Sequence, residues 1–247
     1  ISLMDNFKSK ISEISVENIK TFNNNFISFD IDWAHDDVIN YSIDILEKTE
    51  IRVSWFITHK TKVLERLKEN SNFEIGIHPN FNFLLDGDFS LGKNAEEVIA
   101  RLMKIVPDAK LIKSHSLTQS SVLLDLFLKF GLTHELNNYI PYSSSKDINI
   151  RPWKHWNGIV RVPFNWEDDI ACLDGLDRSN THKGLLNFKK FNIFCFHPIH
   201  IYLNTKNLDN EYKPSKKFIN DPLKLKKFEQ TNYGCRNFLQ ELINFNN

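Results

Sequence analysis

The chain has 247 residues, 41% of them hydrophobic and 13% aromatic, enough to bury a core and to exclude a disordered chain. Lys plus Arg and Asp plus Glu number 31 each, so neither nucleic acid nor an anionic membrane is expected as a bulk electrostatic partner. No apolar run approaches the roughly 20 residues of a spanning helix, and the opening residues as given hold no signal-type apolar stretch, so a cytoplasmic location is the expectation.

In chain order, periodicity predicts alternating strands and helices. An apolar, aromatic run makes 26–33 the first strand, and 36–48 follows with helical spacing of Val38, Ile39, Ile43 and Leu46. Residues 51–58 read as a second strand, 60–69 as a short helix, and 73–78 as a third strand stopped by Pro79. A loop rich in Asn, Gly and Asp runs to about residue 93, before a helix over 95–106. The fourth strand is expected at 111–115 and an apolar helix at 118–130, closed by Gly131. Further strands are expected at 132–136, 159–162 and 191–196, and a closing helix at 231–245. With no repeat and no Gly/Ser-rich linker, 1–247 reads as one domain. The Lys-rich stretch 213–227 reads as a solvated surface. Cys172, Cys195 and Cys235 show no C-x-x-C spacing, which suits a reducing cytosol, and Cys195 within FNIFCF reads as a small buried thiol.

Alternation of this kind implies a mostly parallel sheet, open or closed into a barrel, with ligands outside the carboxyl ends of its strands. Polar residues collect at those ends: Asp30 and Asp32, Thr58 and His59, His78, then Lys113, Ser114 and His115. His134 and Glu135 are placed at the next, followed by Trp166, Glu167, Asp168 and Asp169, and lastly His197 and His200. Asp30 and Asp32, two apart in a strand, are expected to share a face while Phe29, Ile31 and Trp33 take the other. Two carboxylates on one side of a buried strand need a metal, a shared proton or cations. Asp and His donors without thiolate suit a divalent ion, zinc first, with cobalt, nickel or manganese as alternatives. A hydrolytic site also needs a carboxylate base and a separate acid. Asp30 and Asp32 divide into base and ligand, His78 is a second ligand, and His197 is the acid.

The segments FISFDIDW, EIGIHPNFN, IKSHSLTQS and FCFHPIH resemble, in that order, the motifs of polysaccharide deacetylases, the carbohydrate esterase 4 or NodB-homology family. The likeness is nearest to the WbmS-like branch linked to O-antigen biosynthesis. It implies a distorted (β/α) barrel of about seven parallel strands that removes acetyl from an N-acetylated sugar with a bound metal. Asp30 then maps to the base, Asp32 and His78 to metal ligands and His197 to the acid. Where the family has a second motif histidine this chain has Asn82, so the third ligand is Asn82 or His115. Lys113 stands where an arginine usually steadies the base. Trp166 and Asp168 stand near the place of an Asp-Trp motif, and with Trp33 and Lys113 they are the expected substrate contacts. Phe81, Trp153 and Trp156 are further candidates for stacking on a sugar, while His35 and His200 have no firm place. The implied partner is an acylated amino sugar, free or linked to a nucleotide or lipid. Two rivals are a haloacid-dehalogenase-like phosphatase using the D-x-D pair and a degenerate barrel that binds sugar without turnover.

Overall fold

Alternation along β1 (Asn25–Asp30) sets the plan of the molecule. Ile27 and Phe29 enter the large apolar cluster beneath the helices, whereas Phe26 enters a second cluster on the opposite face. Ser28 and Asp30 follow Phe26 at steps of two, so the same inner column runs from apolar to charged. A computed structural model describes residues 7–15, 25–141, 150–173, 175–177 and 190–244.

Among them β2 (Val53–Ile57), β3 (Phe73–Ile77), β4 (Leu111–Ile112), β5 (His134–Tyr139), β6 (Trp153–Lys154), β7 (Val160–Phe164), β8 (Trp166–Glu167) and β9 (Asn192–Phe196) join β1 in one sheet. Its order is β6-β7-β5-β4-β3-β2-β1-β9-β8. Each pairing is parallel except the edge pair β6–β7. In a flat sheet β7 and β9 would lie six strand spacings, roughly 29 Å, apart. Instead Val162 and Phe164 of β7 share the inner cluster with Ile193 and Cys195 of β9. The sheet is therefore curled into a half-barrel, the distorted barrel expected from the sequence.

Helices α1 (Asp36–Leu46), α2 (Leu64–Glu69), α3 (Asn82–Leu85), α4 (Ala95–Met103) and α5 (Ser121–Lys129) connect the strands. Side-chain caps start three of them: His35 Nδ1 accepts from the Asp37 amide, and Asn94 and Ser120 accept from Glu97 and Leu123. His35 thus begins a helix, with Asp36 and Asp37 in its first turn, where negative charge is favoured. The Lys-rich segment forms short helical turns whose lysines pair with nearby acids, Lys224 with Asp221 and Lys226 with Glu229. No helix among the described residues is long and apolar enough to cross a membrane.

Several details depart from the periodicity. β6 and β8 have two residues each, too few to leave a periodic signal, and raise the strand count to nine. α3 lies inside the expected loop. The closing helix is Cys235–Asn244, shorter at its start than expected, and Phe245 lies outside the described residues. β1 ends at Asp30, because Asp32 and Trp33 take left-handed backbone angles, φ 35° and 55°. β4 stops at Ile112, and a tight turn, His115–Leu117, replaces the rest of the expected strand. His134 opens β5 rather than ending it and bonds to the Ile14 carbonyl, so it belongs to the other end of the sheet from the strand termini that carry Asp30 and His197.

Candidate active site

Three inner columns deliver polar groups to one end of the half-barrel. Phe26, Ser28 and Asp30 succeed one another on β1, Leu111 is followed by Lys113 after β4, and Ile193 by Cys195 and His197 along and beyond β9. The apolar members fill the inner core and the polar members cap it. There a cavity of about 110 Å³ opens between Asp30, Asp32, His78, His115, Glu167 and His197.

One wall is a histidine-carboxylate cluster. Asp32 Oδ1 lies 3.3 Å from His78 Nε2 and 3.5 Å from His115 Nδ1. Asp32 reaches this point through the left-handed turn after β1, and not as a strand neighbour of Asp30 on a common pleat. His78 is held by its amide, which donates to the Ile57 carbonyl at 2.8 Å, and His115 by its own amide on the Pro79 carbonyl at 2.9 Å. Ser116 and Leu117 are left-handed as well, so four non-glycine residues with positive φ surround the site. Backbone of this kind persists only where its surroundings enforce it, and such places are often functional. Burial raises the Asp32 carboxyl, but His115 and His78 outweigh it and hold it well below the usual range. Asp32 Oδ1 and His78 Nδ1 are nonetheless buried atoms without a hydrogen-bond partner. A ligand atom from each of Asp32, His78 and His115 lies within 4.8 Å of the others, and this donor set fits a divalent cation of zinc type.

Asp30 sits beneath. Its Oδ2 accepts from Lys113 Nζ at 2.6 Å and from the Cys195 thiol at 3.4 Å, while Oδ1 is buried with no partner. Burial raises the Asp30 carboxyl, yet Lys113, His78 and His197 bring it below its ordinary value. Lys113 is itself buried; it also donates to Cys195 Sγ at 2.9 Å and lies 4.3 Å from the centre of the Phe164 ring. Burial lowers the Lys113 ammonium, but Asp30 foremost drives it well above its ordinary value. Burial pushes the Cys195 thiol well up, so it stays neutral between the two charges.

The opposite wall is built on His197. Asp168 receives the His197 amide at 2.7 Å and faces Nδ1 at 2.6 Å, leaving Nε2 toward the cavity. Burial lowers the imidazole, and the Asp168 carboxylate overrides it, so His197 lies well above its ordinary value. Nε2 is 3.6 Å from Asp32 Oδ2 and 3.9 Å from Asp30 Oδ2.

The structure thus gathers Asp30, Asp32, His78, Lys113, His115 and His197 around one space, and leaves other expected residues elsewhere. Asn82 begins α3, where its side-chain nitrogen donates to Ser116 Oγ at 3.0 Å and its oxygen accepts from Thr118 Oγ1 at 3.3 Å. It braces the turn that carries His115 and does not join the cluster. Trp166 is buried against Phe194, Phe196 and Phe238, because alternation in β8 sends it to the outer core. It is not a sugar-stacking face. Asp168 is likewise buried and spent on His197, behind the cavity surface, while Lys113 belongs to the cavity lining with its ammonium committed to Asp30. Trp33 stays partly exposed, its ring edge-on to His115 at 5.1 Å. Phe81 is core, packed on Phe127, while Trp153 and Trp156 are exposed. His200 stands behind His197, bonded to Thr205 Oγ1 at 3.1 Å.

Glu167 and Asp169, which the deacetylase reading of the sequence leaves without a part of their own, also line the cavity. The available signal was position, on either side of Asp168, but a two-residue strand does not reveal which way each side chain turns. Glu167 pairs in register with Cys195, so both face inward. Burial, with Asp169 adding to it and Lys113 opposing, pushes the Glu167 carboxyl up to about 7.

Comparison with known proteins agrees with this architecture. No curated protein sequence matches the chain. A solved structure from Bordetella bronchiseptica, provisionally described as a polysaccharide deacetylase involved in O-antigen biosynthesis, is similar with a TM-score of 0.87 and 35% identity over 99% of each chain. A provisionally described polysaccharide deacetylase from Mycobacterium smegmatis is similar at TM-score 0.47 and 12% identity, over 70% of this chain and 76% of that one. A 4-alpha-glucanotransferase from Thermococcus litoralis is similar at 0.46 and 14%, over 71% and 33%. The family model described as WbmS-like polysaccharide deacetylase matches residues 27–216, so the chain belongs to that family.

Proposed function

We propose that the protein is a metal-dependent hydrolase that removes acetyl, or another small acyl group, from the nitrogen of an amino sugar during O-antigen or related surface-polysaccharide assembly. The observation that carries this reading is the juxtaposition of three unlike units around one cavity. They are the Asp32–His78–His115 cluster, the Lys113-paired Asp30, and the Asp168-held His197. Asp32, His78 and His115 would hold a divalent ion, zinc before cobalt, nickel or manganese. Such an ion, when bound, polarises the acyl carbonyl and makes water a better acid.

The chain's own groups then divide the proton work. Lys113 and Cys195 occupy Asp30 Oδ2, so the unpartnered Oδ1 is the atom that takes a proton from the attacking water. The water oxygen bonds to the carbonyl carbon. His197, kept protonated by Asp168, donates from Nε2 to the sugar nitrogen as the carbon–nitrogen bond breaks. The bonding pair stays on nitrogen, and the products are the carboxylate and the amine. Asp168 fixes the ring so that Nδ1 is never the free donor. Trp33, beside His115, offers the partly exposed aromatic surface for the sugar. Three free cysteines suit a cytoplasmic step on a nucleotide- or lipid-linked precursor.

The test is elemental analysis of the purified protein together with acetate release from a panel of N-acetylhexosamines, free, nucleotide-linked and lipid-linked. About one transition metal per chain and release from at least one sugar are expected. Asp30→Asn should keep the metal and lose turnover by about a hundredfold or more, the scale of a general base. A protein that binds sugar without turnover would be indifferent to it. Absence of metal even after reconstitution would sink the reading. The phosphatase alternative would use the Glu167 and Asp169 carboxylates that line the cavity, but it leaves His78, His115 and His197 without work.

A further inference from the structure

Glu167 has no work in the mechanism above, yet it lies beside the atoms that would break the bond. Its Oε1 is 4.0 Å from His197 Nε2 and 3.7 Å from Lys113 Nζ. Its side chain is only 13% exposed, and among the described residues it accepts no hydrogen bond. The pairing of β8 with β9 at Cys195 aims it into the cavity from the side of the base.

An atom within hydrogen-bond reach of His197 Nε2, about 3 Å, can lie within the same reach of Glu167 Oε1, because the two are 4.0 Å apart. That atom must accept a proton from His197 and offer a hydrogen to Glu167. The nitrogen of a secondary amide meets both demands once water has added to the carbonyl: it is pyramidal, with a lone pair on one side and its N–H on the other. An ester oxygen has lone pairs only and would meet the carboxylate acceptor to acceptor.

We propose that Glu167 is a specificity-determining residue that accepts the N–H of the scissile amide and so selects N-acyl over O-acyl sugars. This rests on the deacetylase reading and deepens it. A site built to bond a substrate N–H rejects the analogue without it, because its buried acceptor is then left unpaired. The step needs no additional reactant. The N–H hydrogen stays on nitrogen throughout, His197 supplies the second, and the amine leaves with both.

The experiment compares methyl 2-acetamido-2-deoxyglucoside with its 2-O-acetyl counterpart, or the matching pair built on whichever N-acetyl sugar the panel shows to be turned over best. It is run at about pH 8.5, above the value near 7 to which burial moves the Glu167 carboxyl, so that the group is ionised. In Glu167→Gln the ratio of amide to ester turnover should fall at least about tenfold, the scale of a hydrogen bond to a charged group, with metal content unchanged. An unchanged ratio, or equal slowing of both reactions, overturns the inference while leaving the deacetylase reading intact. Wild-type protein that releases acetate from no N-acetyl sugar overturns both. A second variant, Glu167→Ala, leaves no acceptor at this place and should lower the ratio of amide to ester turnover at least as far, with metal content again unchanged. An unchanged ratio in it overturns the inference as well.

Discussion

On one wall of the cavity Asp32 Oδ1 and His78 Nδ1 are buried without partners, whereas on the other both the amide and Nδ1 of His197 are bound to a single carboxylate, Asp168, at 2.7 and 2.6 Å. A buried polar atom left unpaired costs about 1–3 kcal/mol. The Asp32 oxygen is a demand that folding does not meet and that a cation beside His78 Nε2 and His115 would, whereas His78 Nδ1, on the other side of the ring, faces Asp30 Oδ1 at 3.9 Å. The second wall is completed by the fold itself. Its histidine arrives with one nitrogen committed and the other free to deliver a proton. The comparison separates two dependencies: the Asp32 wall should answer to metal supply and the His197 wall to pH.

Removing a ligand tests the first wall and should have the largest effect. His78→Ala is expected to lose the metal and to slow acyl release at least about a thousandfold, since a Lewis acid contributes several kcal/mol to such a transition state. Elemental analysis and turnover on the same preparation check it. Retained metal with full activity would show that the cluster is not the metal centre.

Asp168→Asn tests the second wall. It should keep the metal and cost about a hundredfold in turnover, with the alkaline limb of the rate profile moved to lower pH. The direction follows from the raised folded-state value of His197. Stability from a protonated His197 is fully present below its unfolded value, about 6.5, and is lost as pH rises through the folded value. Wild type should thus exceed the variant by about 1.5–3 kcal/mol near pH 6, the scale of a hydrogen bond between charged groups, and the gap should close at alkaline pH. Denaturant unfolding at several pH values reads this out. A gap independent of pH would mean that Asp168 acts only by packing.

The smallest effect sharpens the choice of ligand. Asn82→Ala should leave metal content unchanged and lower stability by no more than about 1 kcal/mol, because it removes bonds to Ser116 and Thr118 near the surface. Loss of metal in this variant would return Asn82 to the cluster.

Much of this was present in the sequence, because the signals are local. A period of two carried Phe26 to Asp30 and Ile193 to His197 along single strands, and the order of four short segments is itself the mark of the family. The D-x-D pair and the strand-end histidines pointed to a common site for the same reason. What local signals do not hold is distance between segments. His115 stands beside Asp32, 83 positions away, through the left-handed turn at Ser116 and Leu117, while Asn82, four residues after His78, is drawn off to brace that turn. Trp166 and Glu167 are neighbours in sequence with opposite fates, one in the outer core and one in the cavity, decided by a two-residue strand that takes its direction from pairing with β9. By itself the sequence determined which chemical groups are present and, His134 and Glu135 apart, at which strand ends. The curl of the sheet decided which of them meet across it, because Lys113 follows β4, three strands from β1 and farther still from β8, and only the curl sets its ammonium beside Asp30 and Glu167.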